Sequence, residues 1–460
     1  MERFDVVVVG AGPGGYPAAI RAAQLGASVA IVERDRFGGT CLNYGCIPTK
    51  SLIASAQAFA HIRDAKAFGV SVSGVTFDYA AMVHRKDKVV DQLRGGVKQL
   101  LTANGVKPFV GSAAFKDRET IAIDGGATIG AKRTIIATGS TSATPDFIPR
   151  HARVVESRAF LTLDRLPKSM IVLGGGFIGC EIAAMAATLG VKVTVVELLA
   201  DILMLLDADL RGEVRAHMEK ALGARVLTGK PLVGIAADAD GVSGRCGDET
   251  LHADLLLNAV GRRPATDGLN LAAAGLATNA RGFIDADDYC RTKAATIFAI
   301  GDVTGKTQLA HYATAQGIVA AENAVGKKPR RHATLVPNVI FTAPEVATVG
   351  LSEAEAAVQG RAVKTGKFRF AGLGKGLAAG ETTGFVKWIA DAESERLLGA
   401  AAVGPRATEL IATATTVIRA EFTAHELGET IHAHPTFSEA WMEAAHALRG
   451  ESIHAAPRRR

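Results

Sequence analysis

The sequence predicts an α/β fold with two similar parallel-sheet units and a C-terminal α+β domain. Three observations lead to this prediction. A strand, a glycine-rich turn and a helix follow one another twice along the chain. Glycine contributes 50 of the 460 residues, well above the usual share of about 7%. The length also suits roughly three domains of about 150 residues each.

The charge balance and the apolar pattern exclude several classes of protein. Lys and Arg number 52 against 46 Asp and Glu, and arginines at 458–460 supply half of the excess. Because no stretch gathers basic residues on one face, we expect no nucleic-acid partner. No apolar stretch reaches the 18 or so residues that span a bilayer, and the N-terminus lacks the features of a signal peptide. We therefore expect a cytoplasmic protein with no membrane partner.

The first parallel-sheet unit begins at the N-terminus. Its first strand runs into a turn that contains Gly10, Gly12 and Gly15, and after an Ala-rich helix its second strand ends at Glu33. Such a turn lets the backbone approach a pyrophosphate at the N-terminus of the helix. The acid at the end of the second strand can accept hydrogen bonds from a ribose.

The second unit repeats this order of elements. Its turn contains Gly174, Gly176 and Gly179, and its second strand ends at Glu197. The acid follows the first glycine by 23 positions in both units. A glycine turn can also end an ordinary strand, but the full order repeated twice favours two Rossmann-like dinucleotide sites. Leucines rather than an arginine follow Glu197, so this site should prefer NAD over NADP.

Two later segments are predicted to complete these sheets. The run over 134–138 indicates a buried strand that ends in a turn at Gly139. The run over 296–301 indicates another strand with Asp302 at its tip,. From that place Asp302 could meet a cofactor hydroxyl, and capping of the turn explains the residue equally well.

Cys41 and Cys46 lie just past the first unit, five positions apart. In an ideal helix such residues have Cα atoms roughly 8 to 9 Å apart, whereas a disulfide needs about 4.4 to 6.8 Å. Pairing therefore requires a bend, which Gly45 permits. A structural disulfide does not suit a reducing cytosol, and a zinc site would need two more ligands. We favour a redox-active dithiol, with two inert thiols as the alternative.

A redox dithiol needs a partner that exchanges thiol electrons for a hydride, and a flavin does so. FAD is therefore the expected occupant of the first unit. Lys50 lies one helical turn after Cys46, where its ammonium could favour a thiolate or a reduced flavin. A solvated lysine is the alternative interpretation.

The segment from Gly39, Thr40 and Cys41 through Cys46 to Lys50 resembles the signature of the class I pyridine nucleotide-disulfide oxidoreductases. The resemblance covers essentially the whole chain and is strongest to members that oxidise dihydrolipoamide within 2-oxo acid dehydrogenase complexes. It implies the cofactors FAD and NAD, a homodimer, and binding to the lipoyl domain of such a complex. The residues that it assigns to FAD are Glu33, Lys50, Asp302 and Ala310, and Gly39, Thr40 and Gly139 are further expected cofactor-binding residues. Those that it assigns to NAD are Glu197 and Gly261.

The same resemblance implies the roles around the dithiol. Cys41 would exchange with the substrate, and Cys46 would lie against the flavin. Lys50 would pair with Glu181.

His434 precedes the last predicted helix. An imidazole, with its pKa near neutrality, can take and return a thiol proton. Thr436 and Glu439 match a T-x-x-E capping box, which predicts that the helix opens directly after Thr436. The resemblance makes His434 the base and Glu439 its partner, and it implies that this pair reaches the cysteines of the other subunit.

Three domains are expected from this organisation. An FAD domain would span 1–148 and be completed by 267–330, with an NAD domain over 149–266 inserted between them. A basic linker over 327–331 would lead into an interface domain over 331–460, and the tail over 455–460 is expected to be disordered.

The sequence leaves other functions open. Glutathione-type reductases share the framework but favour NADPH, against which Glu197 argues. Mercuric reductases carry a C-terminal cysteine pair, whereas no cysteine follows Cys290. A nucleotide-sensing protein with inert thiols would also fit the two units, and a colourless purified protein would favour it.

Overall fold

The first sheet surrounds the N-terminal strand. The structure, a computed structural model, describes residues 1–326 and 328–455. Numbered in chain order, the strands of this sheet are β1 (Glu2–Val9), β2 (Val29–Glu33), β3 (Lys107–Val110), β4 (Ala113–Phe115), β5 (Thr120–Ile123), β6 (Thr128–Ile136) and β17 (Ile297–Ala299). Their order is β3-β2-β1-β6-β5-β4, with β17 also paired to β6. The valines of β1 are all buried, as in a parallel sheet covered on both faces.

Helices cover one face of this sheet, and the chain between Leu269 and Ala294 covers the other. The helices of this part of the chain are α1 (Gly15–Gln24), α2 (Gly39–Tyr44), α3 (Cys46–Arg63), α4 (Tyr79–Ala103) and α8 (Ala310–Val325). A Cβ on Gly317 of α8 would lie 2.2 Å from the carbonyl oxygen of Gly14. Helix α8 therefore packs directly against the first glycine turn.

The second sheet is formed by strands that lie between β6 and β17 in the sequence. They are β8 (Val154–Glu156), β9 (Ser169–Leu173), β10 (Lys192–Glu197), β11 (Arg225–Thr228) and β15 (Leu255–Asn258). All pair in parallel, in the order β11-β10-β9-β15-β8. A three-stranded antiparallel sheet and three helices accompany it: β12 (Leu232–Ala237), β13 (Val242–Cys246), β14 (Glu249–Ala253), α5 (Ser157–Phe160), α6 (Phe177–Thr188) and α7 (Ala208–Lys220).

A narrow ribbon forms where the chain passes between these two sheets. It consists of β7 (Ser140–Ser142) and β16 (Arg262–Pro264), which pair antiparallel. Both passages of the chain therefore run side by side, next to the predicted cofactor residues Gly139 and Gly261.

The C-terminal sheet is antiparallel, with the order β18-β19-β22-β21-β20. Its strands are β18 (Asn338–Ile340), β19 (Glu345–Gly350), β20 (Val363–Arg369), β21 (Phe385–Asp391) and β22 (Leu397–Gly404). The helices are α9 (Glu353–Val358), α10 (Gly374–Ala379), α11 (Ala407–Arg419), α12 (Ala424–Gly428) and α13 (Glu439–Arg449). Trp388 and Trp441, with ring centroids 4.6 Å apart, join β21 to α13 in the core.

Short 3₁₀ segments complete the described structure, at Ala65–Phe68, Leu271–Ala274, Gly301–Thr304 and Phe370–Gly372. Within 1–326 and 328–455, no helix is long and apolar enough to cross a bilayer,. Lys327 of the predicted basic linker and residues 456–460 of the predicted disordered tail lie outside the described residues.

Candidate functional site

The two glycine turns share a backbone geometry that only glycine fits. Gly10 has φ 101° and Gly174 has φ 111°, in the left-handed region that side chains disfavour. A Cβ on Gly10 would lie 2.4 Å from the oxygen of Ala137, and one on Gly174 would lie 2.5 Å from the oxygen of Ala259. A side chain at the first glycine of either turn would therefore clash with the backbone at the end of the neighbouring strand.

The third glycine of each turn is equally confined. A Cβ on Gly15 would lie 1.8 Å from the oxygen of Gly10, and one on Gly179 would lie 2.0 Å from the oxygen of Gly174. Each therefore lets the first turn of its helix close onto the strand end.

The middle glycines instead leave free space in front of the helix. A Cβ on Gly12 would have its nearest neighbour, the Cα of Gly39, at 3.9 Å. A Cβ on Gly176, Gly139 or Gly261 would meet nothing within 4 Å. These glycines border space that a ligand backbone can enter, and the N-termini of α1 and α6 aim peptide N–H groups at it. Both turns thus fit the pyrophosphate of a dinucleotide.

The acids at the strand ends are held in the same way. In the first unit, Glu33 accepts hydrogen bonds from the amides of Ala11 at 2.8 Å and Asp35 at 2.9 Å. In the second, Glu197 accepts them from the amides of Gly175 at 2.6 Å and Leu199 at 2.8 Å. Two anchored oxygens, each with a remaining lone pair, suit the hydroxyls of a ribose.

Asp302 lies in the 3₁₀ segment that follows β17. The hydroxyl of Ser140 donates to its Oδ2 at 2.5 Å. Arg262 in turn donates from Nε to that hydroxyl at 2.7 Å. Ala310 is the first residue of α8, a few residues further on. Asp302 and Ala310 are thus presented beside the ribbon at the carboxyl end of the first sheet, where ligands bind in such sheets.

The cysteine pair straddles a break between two helices. Helix α2 contains Cys41 and ends at Tyr44, Gly45 has φ −140° and ψ −104°, and α3 begins at Cys46. The predicted bend at Gly45 is confirmed. Gly39 opens α2, and the adjoining Thr40 is exposed.

The two thiols interact directly and differ in acidity. The hydrogen bond with Cys46 raises the pKa of the Cys41 thiol, and burial adds to the rise. The same hydrogen bond lowers the pKa of Cys46, and the ammonium of Lys50 lowers it further against the effect of burial. The positive charge of Lys50 thus favours the thiolate form of Cys46, which is the form that takes part in disulfide exchange.

Lys50 joins three parts of the chain. Its Nζ lies 2.7 Å from Oε2 of the buried Glu181, on α6. The other oxygen of Glu181 accepts a hydrogen bond from the amide of Phe341 at 2.9 Å. The ring of Phe341 lies 4.5 Å from the same ammonium, within cation–π range. Sequence reasoning missed this role of Phe341, because no local pattern marks a ring that acts across 291 positions.

His434 and Glu439 form a second pair, with Nδ1 2.8 Å from Oε1. Burial opposes ionisation of Glu439, but the amide of Thr436 and the nearby His434 outweigh it and lower its pKa. A fixed carboxylate on Nδ1 leaves Nε2 of His434 free to exchange a proton. The His434 side chain is 75% exposed, and among its hydrogen bonds in the described chain none reaches Cys41 or Cys46.

The predicted capping box at this helix is wrong in half of its contacts. Glu439 does accept the amide of Thr436, at 2.7 Å. The Thr436 hydroxyl, however, bonds to the carbonyl of Ala433 and to Ser438. Because this local turn takes the hydroxyl, α13 begins only at Glu439, after Ser438.

The site as a whole defines a redox protein with two dinucleotide sites and one dithiol, and comparison with known proteins names its family. Residues 4–317 match the family model described as "Pyridine nucleotide-disulphide oxidoreductase", and residues 336–445 match its dimerisation domain. The chain belongs to the pyridine nucleotide-disulphide oxidoreductases.

Curated relatives match over their full length. The dihydrolipoyl dehydrogenase of Chlamydia muridarum is 42% identical over 464 residues, with 100% of both chains covered. That of Thermus scotoductus is 43% identical, with 99% of both chains covered.

Solved structures show the same fold. LpdA from Mycobacterium tuberculosis has a TM-score of 0.90 at 26% identity, covering 97% of this chain and 100% of its own. The HOCl-induced flavoprotein disulfide reductase RclA from Escherichia coli has a TM-score of 0.88 at 28% identity, covering 96% and 99%.

Proposed function

We propose that this protein oxidises dihydrolipoamide to lipoamide and reduces NAD⁺ to NADH, with FAD at the first glycine turn and NAD at the second. The observation that carries this proposal is the Cys41–Cys46 pair, which lies at the junction of α2 and α3, beside the first turn and beside Lys50. The full-length relatives named dihydrolipoyl dehydrogenase support the choice of substrate.

The exchange begins on the disulfide form of the cysteine pair. One thiol of the substrate releases its proton to solvent and attacks Sγ of Cys41 as a thiolate, the Cys41–Cys46 bond breaks, and its electron pair leaves on Cys46. The second thiol of the substrate loses its proton to Nε2 of His434 and attacks the substrate sulfur bound to Cys41. Lipoamide leaves, and Cys41 regains a proton from His434.

Cys46 then holds the negative charge that the site is built to stabilise. Lys50 places a positive charge nearby, which lowers the pKa of the Cys46 thiol. When bound, FAD accepts two electrons from such a dithiol and passes them as a hydride to NAD⁺. The residues around the first turn that would hold FAD are Gly10, Gly12, Glu33, Gly39, Thr40, Lys50, Gly139, Asp302 and Ala310.

A homodimer completes the site in this proposal, and the match to the dimerisation domain supports it. The exposed His434 would act on the cysteine pair of the other subunit, with Glu439 fixing its ring. We propose the domain boundaries 1–148 with 267–330, 149–266 and 331–460. The partner would be the lipoyl domain of a 2-oxo acid dehydrogenase complex in the reducing cytoplasm, where the unpaired Cys180, Cys246 and Cys290 suit the surroundings,.

The preferred disulfide substrate and the preferred nicotinamide nucleotide distinguish this function from that of a glutathione-type reductase. The test is steady-state turnover of the purified yellow protein with dihydrolipoamide and NAD⁺, and in reverse with lipoamide or glutathione disulfide and NADH or NADPH. We expect turnover with the lipoyl substrates and NAD, because two exposed leucines follow Glu197 where a 2′-phosphate would need an arginine,. Preferential reduction of glutathione disulfide by NADPH would overturn the proposal. A colourless purified protein would instead favour a nucleotide-sensing protein with inert thiols.

A further inference from the structure

Lys387 is a buried lysine outside both nucleotide sites. It lies on β21, and only 1% of its side chain is exposed. Its Nζ lies 2.9 Å from Oδ2 of Asp207, 3.1 Å from Oδ1 of Asp209 and 2.6 Å from Oε1 of Glu353. Buried charges persist only when they are paired, and here three carboxylates surround the Lys387 ammonium, while Lys367 on β20 also bonds Asp209 at 2.5 Å.

The Lys387 ammonium is the one cation of the described residues that bonds all three carboxylates, and Lys367 assists it at Asp209 alone. The oxygens of the three carboxylates lie within 4.8 Å of one another, a distance at which like charges repel strongly away from bulk water. Burial opposes the charge of Lys387, but the bonds to Glu353 and Asp207 outweigh it and raise its pKa. Lys387 therefore stays charged throughout the neutral range.

Asp207 and Asp209 continue directly from the loop 198–206, which follows Glu197 of the second nucleotide unit. The amide of Leu199 in this loop donates to Glu197 at 2.8 Å. The amide of Leu203 donates to the carbonyl of Gly175 at 2.9 Å. The loop is thus bonded to Glu197 and to Gly175 of the second glycine turn, and the residues that follow it are bonded to Lys387.

The loop also carries backbone strain. Leu203 has φ 52°, a left-handed conformation that costs energy for a leucine and persists only where its surroundings impose it. Its side chain is buried, 3% exposed. A loop held under strain between two anchors should move when either anchor is released.

We propose that Lys387 is a positioning residue for NAD: by holding Asp207 and Asp209 to the C-terminal sheet, it fixes the loop 198–206 and through it the second glycine turn and Glu197. This inference rests on the assignment of NAD to the second turn in the proposed function. It does not depend on which disulfide the enzyme uses.

The test compares Lys387→Met with a matched control, Arg369→Met. Arg369 on β20 also bridges to α7, with Nη1 3.0 Å from Glu213, but it is exposed and outside the carboxylate cluster. Affinity for NADH is titrated by calorimetry on protein that has first been fully reduced with dithionite, so that binding occurs without hydride transfer, and reduction of the flavin by dihydrolipoamide without NAD is followed separately. Lys387→Met should weaken NADH binding about tenfold, within the range of such couplings, and leave flavin reduction unchanged. Arg369→Met should change neither.

Two further variants keep the test decisive. Lys387→Arg retains the charge and should restore most of the NADH affinity. Asp209→Asn added to Lys387→Met relieves the repulsion between the carboxylates, so this double variant serves if Lys387→Met does not fold; because it does not return the bonds from Lys387, its NADH affinity should stay low. Unchanged NADH affinity in Lys387→Met, or an equal loss in Arg369→Met, would overturn the proposal. Failure of the unmodified protein to oxidise dihydrolipoamide would count against the proposed function alone, because NADH binding is measured directly.

Discussion

The two glycine turns are nearly identical in backbone geometry and different in their surroundings. In both, a left-handed first glycine meets the next strand, and an acid accepts two backbone amides. The first turn is enclosed by α8 and by Gly39. A Cβ added to Gly39 would lie 2.5 Å from the Cα of Gly12. The second turn leaves Gly176 exposed, and Leu198 beyond it is 64% exposed.

This difference teaches that one motif can serve two kinds of ligand. An enclosed turn exchanges its ligand slowly, which suits a resident FAD. An open turn with an exposed apolar border suits a nicotinamide nucleotide that must enter and leave in every cycle. Only the first turn continues into the dithiol, so electrons enter the molecule there.

The largest expected effect comes from removing the dithiol next to the first turn. Cys41→Ser should reduce dihydrolipoamide turnover by about 10³-fold or more, as loss of an essential nucleophile does, while flavin stays bound. The check is steady-state turnover together with the flavin absorbance of the purified variant. The control is Cys246→Ser, in β13 of the three-stranded antiparallel sheet, and this variant should oxidise dihydrolipoamide at the normal rate. Full turnover in Cys41→Ser would remove the cysteine from the reaction.

Matched glycine substitutions should distinguish a glycine that folding requires, Gly10, from a glycine that ligand binding requires, Gly176. Gly10→Ala meets the oxygen of Ala137 at 2.4 Å and should lower the free energy of unfolding by about 3 kcal/mol, with loss of flavin. Gly176→Ala meets no protein atom within 4 Å and should keep the melting temperature while weakening NAD binding. Thermal melts and NADH titration distinguish them. Equal destabilisation by both would contradict the contrast between the two positions.

His434→Gln should slow thiol exchange by about 10²-fold, the scale of lost general-base catalysis. Rapid mixing with dihydrolipoamide, with flavin absorbance as the signal, measures this step. His432→Gln is the matched control, because His432 lies two positions away and bonds only to the carbonyl of Thr430 among its described polar contacts. Equal rates in the two variants would exclude His434 as the base.

The smallest expected effect tests the acid of the open turn. Glu197→Ser combined with Leu198→Arg should shift the ratio of NAD to NADP turnover by about tenfold toward NADP, since one charge-assisted bond to a phosphate gives that much. The comparison is of kcat/KM for the two nucleotides. An unchanged ratio would mean that Glu197 does not distinguish the ribose of NAD from the phosphorylated ribose of NADP.

The sequence predicted the parts of the site that local geometry determines. The spacing of Cys41 and Cys46 predicted a bend, because residues five apart in a regular helix are too distant to form a disulfide. Gly45 provides that bend. The capping box failed because a T-x-x-E match cannot reveal that a neighbouring turn takes the Thr436 hydroxyl. Lys387 was missed because a lysine within a strand is typical of a surface, and its carboxylate partners lie 34 to 180 positions away.

The most direct test of the electron path uses the unmodified yellow protein without oxygen. One equivalent of dihydrolipoamide, added in the absence of NAD, should change the flavin absorbance, and NAD⁺ added next should restore it with one equivalent of NADH formed. The same additions to Cys46→Ser should give no NADH. If dihydrolipoamide leaves the flavin spectrum unchanged, or if Cys46→Ser forms NADH as the unmodified protein does, the path from dithiol to flavin to NAD is contradicted.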